Sequence, residues 1–569
     1  MLRDPESRPV KVANCSSYHG DPAYEMYRQA TLGEVDFITG DYLAEVNLAK
    51  NAQARRARKH PGYEETAWQR LQRTIDVIAE KGIRIVINGG ALDPKALAIE
   101  VAALVDEKRL DLRVAYVSGD DLYPQVGPNM PTTKEELQHL DSGNPSVVPS
   151  ELTYAFMNAP DGRPTPMISA HAYSGARGIV EGLRRGAQII ICGRVADATL
   201  IAGNLIESSA YVTGANFAGF DKYPIDILVA PGFPIAEIEE DGTCTITKHL
   251  GTQGLVGTLQ GNVYLNSDVS AHIDDIVVED AGENRVRVSR IRGSPPPPTT
   301  KLAVFYHGAY EAEILLNATG YATAQKWDLL EKQIRHFLPA SVANDLDTLE
   351  LQRVGAPEPN PSSQLKSTNY MRIFVASRSA PAVAAVSKTI GNIAHKHFSG
   401  FHATLDMRTA TEIPEKVNIL EDRSKVASFD IPRPCQYVSL EPRETYDPTS
   451  PTVYNGPTKD IRLGDIALAR SGDKGANLNF GIFVPNPTHW DWLRSFMTTS
   501  QMQALTGDDW DDSFSIERAE YPHIHAVHFV IYGILGRGVS SPSRLDGYGK
   551  GFADYIRDKI VQVPAQFKL

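Results

Sequence analysis

Alternating strand and helix patterns over roughly the first 200 residues limit the fold of this chain more than any other feature. Short apolar segments with the length of buried strands occur at residues 10–15, 35–39, 84–87, 112–117 and 188–192. Apolar residues at helical spacing predict helices at residues 64–81, 96–106 and 175–185. Because helices that join apolar strands cover both faces of a parallel sheet, the sequence predicts a Rossmann- or flavodoxin-like α/β domain over residues 10–224.

Each of these predicted strands ends in a turn made of polar residues and glycine. In a parallel sheet, ligands bind beyond the carboxyl ends of the strands, where these turns would lie together. Glycine, asparagine and aspartate also form turns that have no further role, so one turn alone is ambiguous. Five such turns that also carry Arg194 and several carboxylates predict the floor of an active site.

Four groups in and near these turns are candidates for the chemistry. Asp41 is either a helix cap or a group that moves protons. The Asn88-Gly89-Gly90 turn offers backbone N–H groups that could hold an oxyanion. Arg194 follows a very apolar strand, so it either pairs with a carboxylate such as Asp197 or binds an anionic substrate. Asp197 is itself a candidate for substrate binding. His171 is either a proton shuttle or a structural histidine.

The composition of the chain argues against several classes of function. Its 569 residues carry a net charge of −12, which argues against general nucleic-acid binding. No run of 18 apolar residues occurs, and the four cysteines are widely spaced, so we expect a cytoplasmic protein without membrane contact. The glycine-rich dinucleotide fingerprint, the Walker A phosphate loop and the HExxH zinc motif are absent. We therefore expect neither a cofactor nor a metal.

The sequence changes character near residue 225, where shorter strands and helices predict an α+β middle region over residues 225–440. A proline-rich stretch predicts a linker at residues 441–460, and residues 461–569 form a compact α+β module. Glycine-bearing loops on either side of residue 225 contain three candidates for substrate binding, namely Asn216, Lys248 and Thr252. For Lys248, a cross-strand ion pair with Glu237 is the alternative to substrate binding.

The densest polar run of the chain, ARSGDKGAN at residues 469–477, follows a strand predicted at residues 463–469. We interpret the run as a turn, because its two glycines permit backbone geometry that other residues resist. In such a turn, successive backbone N–H groups can converge on an anion. Arg470 and Asn477 are candidates for substrate binding, and Asp473 is a candidate catalytic group together with Lys474. The alternative is a nucleophile at Ser471, with the lysine three residues later as its partner.

Six motifs together resemble the acyclic terpene utilisation AtuA family, from about residue 10 to the C-terminus. They are GDYLAEVNLA at 40–49, NGGALDP at 88–94, GRVADATL at 193–200, TGANFAGF at 213–220, PIAEI…DGT…TK at 234–248 and ARSGDKG at 469–475. The resemblance implies a large N-terminal α/β domain and a small C-terminal ferredoxin-like domain. The founding members belong to operons for citronellol and geraniol catabolism, which implies an acyl-CoA step. This chain has a shorter version of the family's pattern at residues 472–477, which implies a different substrate.

These observations predict an enzyme that acts on a carboxylate or acyl-CoA substrate by acid–base chemistry, as a lyase or hydratase. It would serve branched acyl or terpenoid catabolism or a secondary-metabolite pathway. We expect a homodimer or larger homo-oligomer, in which the C-terminal module folds back onto the turns described above or reaches them across a dimer. The alternatives are a serine-dependent hydrolase or acyltransferase and a non-catalytic partner of an acyl-CoA carboxylase. Anionic oxygens would be held by Arg194, Lys474 and the Asn88 turn, and protons moved by Asp41, Asp473 or His171.

Overall fold

The computed structural model divides into two compact units, one of Met1–Tyr154, Met167–Val304 and Lys416–Leu569 and the other of Ala155–Pro166 and Phe305–Glu415. It describes residues 8–127, 143–148, 165–196, 208–216, 218–252, 263–273, 275–319, 322–357, 368–393, 396–398, 401–403, 411–422, 445–452, 454–536, 546, 549 and 551–567. Asp197 therefore lies outside the described residues.

The elements are numbered along the chain. The strands are β1 Val10–Asn14, β2 Phe37–Gly40, β3 Arg84–Ile87, β4 Val114–Val117, β5 Met167–Ala172, β6 Ile189–Cys192, β7 Pro234–Ile238, β8 Cys244–Lys248, β9 Val263–Leu265, β10 Ser270–His272, β11 Val277–Asp280, β12 Val286–Ser289, β13 Arg292–Ser294, β14 Thr299–Thr319, β15 Thr348–Val354, β16 Thr368–Ser377, β17 Phe401–Ala403, β18 Thr411–Asp422, β19 Thr458–Arg462, β20 Leu468–Lys474, β21 Asn477–Phe483, β22 Ser515–Tyr521, β23 Ala526–Tyr532 and β24 Ile560–Pro564. The α-helices are α1 Tyr24–Leu32, α2 Glu45–Arg56, α3 Glu65–Lys81, α4 Pro94–Glu107, α5 Tyr123–Val126, α6 Arg177–Arg184, α7 Thr323–Phe337, α8 Ala340–Asn344, α9 Ala380–Asn392, α10 Trp490–Phe496, α11 Thr499–Thr506 and α12 Phe552–Arg557.

A nine-stranded sheet forms the centre of the first unit, in the order β11-β12-β8-β7-β1-β2-β3-β6-β4. The strands from β1 to β4 in this order pair in parallel, which confirms the predicted α/β fold. The hairpin of β7 and β8 pairs antiparallel with β1. The sheet therefore crosses the domain boundary predicted between residues 224 and 225, because the hairpin adds its strands to the open edge at β1. Ile225–Leu228, at the start of the predicted α+β middle region, is a 3-10 helix.

Local sequence explains why the helices flank this sheet. In α3, the apolar residues Leu71, Ile75 and Ile78 recur at helical spacing and are buried. In α4, the Asp93 side chain accepts a hydrogen bond from the backbone N–H of Ala96 and Pro94 occupies the first turn, as expected for a capped helix start. Among the described residues, no helix combines the length and the apolar composition that a membrane span needs.

The second unit is built on a sheet of order β15-β16-β14-β17, with β18 also paired to β14. Trp327 and Leu330 of α7 pack with Ile373 of β16 and Val386 of α9 in one buried cluster. The sequence predicted an α+β region here, and the structure has the strand β14 and the helices α7 and α9 in it.

The C-terminal region of the first unit contains a four-stranded antiparallel sheet, β20-β21-β23-β22, and a two-stranded sheet of β19 and β24. Near the C-terminus, α12 ends at Arg557 and β24 follows it, because the alternating residues 560–564 pair with β19. Part of the predicted linker, residues 445–452, packs against this region, where the Thr445 hydroxyl accepts a hydrogen bond from the Arg518 backbone N–H.

Candidate functional site

Strand register brings several candidates to one edge of the nine-stranded sheet, here called the rim. Asn14 ends β1, Asp41 follows β2, Asn88 follows β3 and Arg194 follows β6. Lys248 belongs to the same edge, because β8 is antiparallel to β7, β7 is antiparallel to β1, and Lys248 pairs with Pro234 near the end of β1. The rim thus carries polar groups on five strands: the parallel strands β1, β2, β3 and β6 of the predicted α/β domain, and β8, which lies outside the predicted domain.

Asp41 and Asn88 form a buried pair at the centre of the rim. The Asn88 side-chain amide donates to Asp41 Oδ1, which also accepts from the backbone N–H of Leu43 at 3.1 Å. Asn88 Oδ1 in turn accepts from the backbone N–H of Tyr42 at 2.7 Å. Asp41 does not cap α2, whose N-cap is Ala44. The interpretation of Asp41 as a helix cap is therefore wrong, and its carboxylate instead fixes Asn88.

The two glycines after Asn88 are required by close packing. A Cβ on Gly89 would overlap the Ala67 side chain, and a Cβ on Gly90 would lie 2.5 Å from the Cα of Pro94. Ala91 follows with a positive φ of 47° and donates to the Asn88 carbonyl at 3.1 Å. An oxyanion hole in this turn stays a prediction, and the glycines have a sufficient structural reason without it.

Asp120, His171 and Arg194 form a buried triad beside this pair. Asp120 Oδ2 lies 3.0 Å from Nδ1 of His171 and accepts from the backbone N–H of Arg194 at 2.9 Å. The side chains of Asp120 and His171 are 6% and 3% exposed, so water competes little for the bond between them. A carboxylate only accepts hydrogen bonds, so Nδ1 of His171 carries the proton and Nε2 is the nitrogen that can exchange one.

Gly193 leaves the space that the Asp120 carboxylate occupies, since an added Cβ would overlap that carboxylate. We expect Gly193→Ala to displace Asp120 from His171 and to lower the free energy of unfolding by about 1–3 kcal/mol. Gly391 in α9 is a matched control, because a Cβ added there would meet nothing within 4 Å. Urea unfolding of both variants checks this, and an unchanged Gly193→Ala protein would contradict the tight fit.

A second group, partly buried, joins Glu45, Tyr173 and Lys301 to Arg194. Glu45 Oε1 accepts from the Tyr173 hydroxyl at 2.7 Å and from Nζ of Lys301 at 2.6 Å. The Arg194 guanidinium carbon and the Lys301 ammonium lie 4.0 and 4.3 Å from the centroid of the Tyr173 ring. Burial acts against the charge on Lys301, but the Glu45 carboxylate and Tyr173 outweigh it and raise the pKa of Lys301. Lys301 therefore stays a cation, and two cations and one carboxylate meet at this ring.

Lys248 is the last residue of β8 on the rim, and a tight turn follows it. Its Nζ donates to the Thr252 carbonyl at 3.1 Å, and the Thr252 hydroxyl donates to the His249 carbonyl at 2.9 Å. Burial lowers the pKa of Lys248. Glu237 instead bonds to Arg285 and lies 3.8 Å from Lys11, so the proposed ion pair between Glu237 and Lys248 is wrong. The register explains this, because Glu237 faces Thr245 across the hairpin.

Residues 208–216 and 218, here called the connecting segment, join the rim to the C-terminal sheet. At one end, the Ser209 hydroxyl donates to Asn14 Oδ1 at 2.8 Å. In the middle, the Arg470 guanidinium lies 5.3 Å from the centroid of the Tyr211 ring, and the Tyr211 hydroxyl accepts from Asn216 at 2.7 Å. Further along, the backbones of residues 218 and 469 form an antiparallel bridge. Arg470 is thus tied to the rim within a single chain.

The polar run at residues 469–477 is a β-hairpin and not a turn that follows a strand. It occupies the end of β20 and the start of β21, with Lys474 paired to Asn477 across a two-residue loop. The predicted strand at residues 463–469 begins instead as a 3-10 helix. Asn477 Oδ1 accepts from the backbone N–H of Gly533 at 3.1 Å, and Asp473 lies half-buried near the end of β20.

Ser471 is buried and faces α12, where its hydroxyl accepts a hydrogen bond from the backbone N–H of Ala553 at 2.9 Å. Lys474 is exposed, and residues three apart on a strand point to opposite faces of the sheet. The structure therefore does not bring Ser471 and Lys474 together as a nucleophile and its partner.

Sequence reasoning missed the partners that complete these groups. Asp120 follows β4 within one of the predicted polar turns, so its position was signalled but its link to His171 was not. Glu45 and Lys301 are 256 residues apart, and nothing in the local pattern around Lys301 marks it as a site residue.

Fold and rim together define an α/β protein with polar side chains at the carboxyl edge of a parallel sheet, followed by a small α+β module. The sequence matches the family model of the acyclic terpene utilisation family protein AtuA at residues 10–202 and 198–428. Residues 461–562 match the AtuA ferredoxin-like domain. The chain therefore belongs to the AtuA family, and its C-terminal domain is ferredoxin-like. A comparison with curated proteins gave no match.

Proposed function

We propose that this AtuA family member is an enzyme that acts on a carboxylate or acyl-CoA substrate by acid–base chemistry, as a lyase or hydratase. The observation that carries the proposal is the buried contact between Asp120 and His171, in which the same Asp120 oxygen holds the backbone of Arg194. One carboxylate thus contacts both the proposed base and the backbone of the proposed anion-binding residue. A carboxylate that accepts a hydrogen bond from a histidine orients the ring and sets which nitrogen transfers the proton.

In a cleavage of a 3-hydroxyacyl substrate, Nε2 of His171 would take the proton of the hydroxyl group. The electrons of that O–H bond would form the new carbonyl, and the bond between the second and third carbons would break. Its electrons would pass to the acyl oxygen as an enolate, which Arg194 and Lys301 would stabilise as cations. Protonation of the enolate by the histidine would return the base to its neutral form.

Hydration or dehydration would use the same groups. The base would move a proton to or from water, while the cations hold the carboxylate or thioester oxygen of the substrate. Tyr173 lies against both cations and donates to Glu45, so it limits where an acyl oxygen can lie. Both reactions need one base and one cationic oxygen site, the roles proposed here for His171 and for Arg194 with Lys301.

The test is turnover of a panel of CoA thioesters and free acids, each with a 3-hydroxy or a 2-enoyl group, followed by mass spectrometry. We expect Arg194→Met to raise the KM for the accepted substrate at least tenfold, because it removes a buried cation at the oxygen site. Arg185→Met is a control, since Arg185 is 77% exposed at the end of α6. Unchanged KM in Arg194→Met would contradict the assigned oxygen site.

A serine-dependent hydrolase or acyltransferase has less support, since Ser471 accepts from a helix backbone and points away from Lys474. The direct check is a covalent serine probe, which we expect to leave Ser471 unlabelled.

A further inference from the structure

An exposed basic stretch, residues 55–59 with the sequence RRARK, lies at the end of α2. Two hydrogen bonds place its first residue beside the turn that follows β3. Arg55 donates to the Leu92 carbonyl at 2.6 Å and to Asp93 Oδ2 at 2.8 Å. The backbone N–H of Leu92 donates in turn to the carbonyl of Gly62, just beyond the stretch, at 2.8 Å. The basic stretch therefore lies at the rim.

The helix α2 and the strand β5 lie side by side between the basic stretch and the proposed base, His171. At the first end of α2, Glu45 accepts from the hydroxyl of Tyr173, which follows β5, at 2.7 Å. At the other end, Arg56 Nε donates to the Ile168 carbonyl at 2.9 Å. The helix advances about 16 Å between these two contacts, and so does the extended chain from residue 168 to residue 173. The two elements thus set the distance between the basic stretch and the group around Tyr173.

Three of the four cations in the basic stretch, Arg56, Arg58 and Lys59, form no ion pair among the described residues. The nearest carboxylate along the chain is that of Glu64, which is buried and accepts from two amide side chains of α2. The next one, Glu65, forms no ion pair with these cations. Exposed cations of this kind suit phosphate, whose oxygens accept several charge-assisted hydrogen bonds. Because the chain carries a net charge of −12, a small ligand with clustered phosphates fits this local charge better than a long polyanion does.

We propose that the basic stretch binds the phosphate groups of a coenzyme A thioester, whose acyl end then reaches the group around Tyr173 and the base His171. This site depends on the proposed function and extends it, because it selects a CoA thioester over a free carboxylic acid. The arm of CoA between its sulfur and the nearest phosphorus has about 13 bonds and, at the rise of an extended peptide chain, spans ~15 Å. That length matches the separation set by α2 and β5, so one ligand occupies both ends.

Calorimetry on the full chain tests this with CoA, pantetheine and adenosine 3′,5′-bisphosphate. We expect CoA to bind at least tenfold more tightly than pantetheine, which lacks the phosphates, and than the bisphosphate, which lacks the arm. The double variant Arg58→Gly with Lys59→Met should lower the affinity for CoA at least tenfold and leave that for pantetheine unchanged. Glycine suits position 58, because Arg58 has a positive φ of 57° and directly follows the C-cap of α2.

Arg109→Gly with Lys108→Met is the matched control. Arg109 also has a positive φ, of 56°, and follows the C-cap of α4, but α4 ends at the edge of the sheet opposite the rim. This control should keep the affinity for CoA within twofold of the wild type. Equal losses in the two double variants would overturn the proposal, as would pantetheine or the bisphosphate binding as tightly as CoA.

The proposed chemistry and this site fail in different ways. His171→Ala should keep the affinity for CoA, because His171 contacts the reacting end of the ligand and not its phosphates. If turnover is absent while the phosphate-dependent binding of CoA persists, the chemistry is wrong and this site stands. If free acids turn over while CoA binds no more tightly than pantetheine, the chemistry stands and this site is wrong.

Discussion

Replacing His171 with alanine is expected to lower kcat about 10²- to 10⁴-fold, because it removes the group that transfers the proton. His171 is buried at the end of β5, and its Nδ1 is fixed by Asp120, so a water molecule in its place would lack both the basicity and the orientation. Steady-state rates between pH 5 and pH 9 on the accepted substrate measure the loss. Partial recovery with added imidazole would identify the missing group as the base.

Asp120→Asn should also lower kcat. The neutral amide of asparagine stabilises a protonated His171 less than the carboxylate of Asp120 does. The control is His489→Gln, since His489 is also a buried histidine but stacks on Phe567 in the C-terminal domain, at 4.0 Å between ring centroids. That variant should change stability and leave kcat within about twofold. If His171→Ala keeps full turnover, the assignment of His171 as the base is wrong.

The α/β part of this fold is predictable from sequence because its signals are local. Each parallel strand is a short apolar run, and each helix shows its own spacing of apolar residues, as Leu71, Ile75 and Ile78 do in α3. The polar turns fall at one edge of the sheet because all the parallel strands share a direction. Asp41, Asn88 and Arg194 were therefore correctly placed on one rim without any knowledge of their contacts.

The partners of these residues could not be predicted in this way. The bond between Glu45 and Lys301 joins residues 256 positions apart, and that between Asp120 and His171 spans 51. Contacts across such distances depend on how the whole chain folds. The pairing of the β7 and β8 hairpin with the parallel sheet is another contact between distant parts of the sequence. No periodicity near Lys301 distinguishes a site residue from any other polar residue at the start of a strand.

The hairpin of β20 and β21 was misread for a different reason. Its five polar residues suggested a turn, but alternation across the strand explains them better. Ala469 and Ser471 are buried, whereas Arg470 is half-buried and Lys474 is exposed. The small residues between them hid this alternation, since Gly472 and Gly475 favour turns when taken alone.

Replacing Arg518 is expected to cause a large loss of stability in the ferredoxin-like domain. Its guanidinium is fully buried and donates to the carbonyls of Met497, Tyr446 and Arg494 at 2.6, 2.8 and 2.8 Å. It also donates to Glu520 Oε1 at 2.8 Å. Truncation to alanine would leave three carbonyls and one carboxylate buried without this donor, because no other group replaces its planar fork.

We therefore expect Arg518→Ala to lower the free energy of unfolding by about 3–5 kcal/mol, the range for breaking a buried charge network. Arg518→Lys should recover only part of it, since an ammonium cannot reach four acceptors in this geometry. Arg462 is the matched control, because it is 60% exposed and pairs with an exposed Asp558, so Arg462→Ala should cost less than about 1 kcal/mol. Denaturant unfolding followed by tryptophan fluorescence measures all three variants. If Arg518→Ala and Arg462→Ala lower the free energy of unfolding equally, the buried hydrogen bonds of Arg518 contribute no more than a surface ion pair.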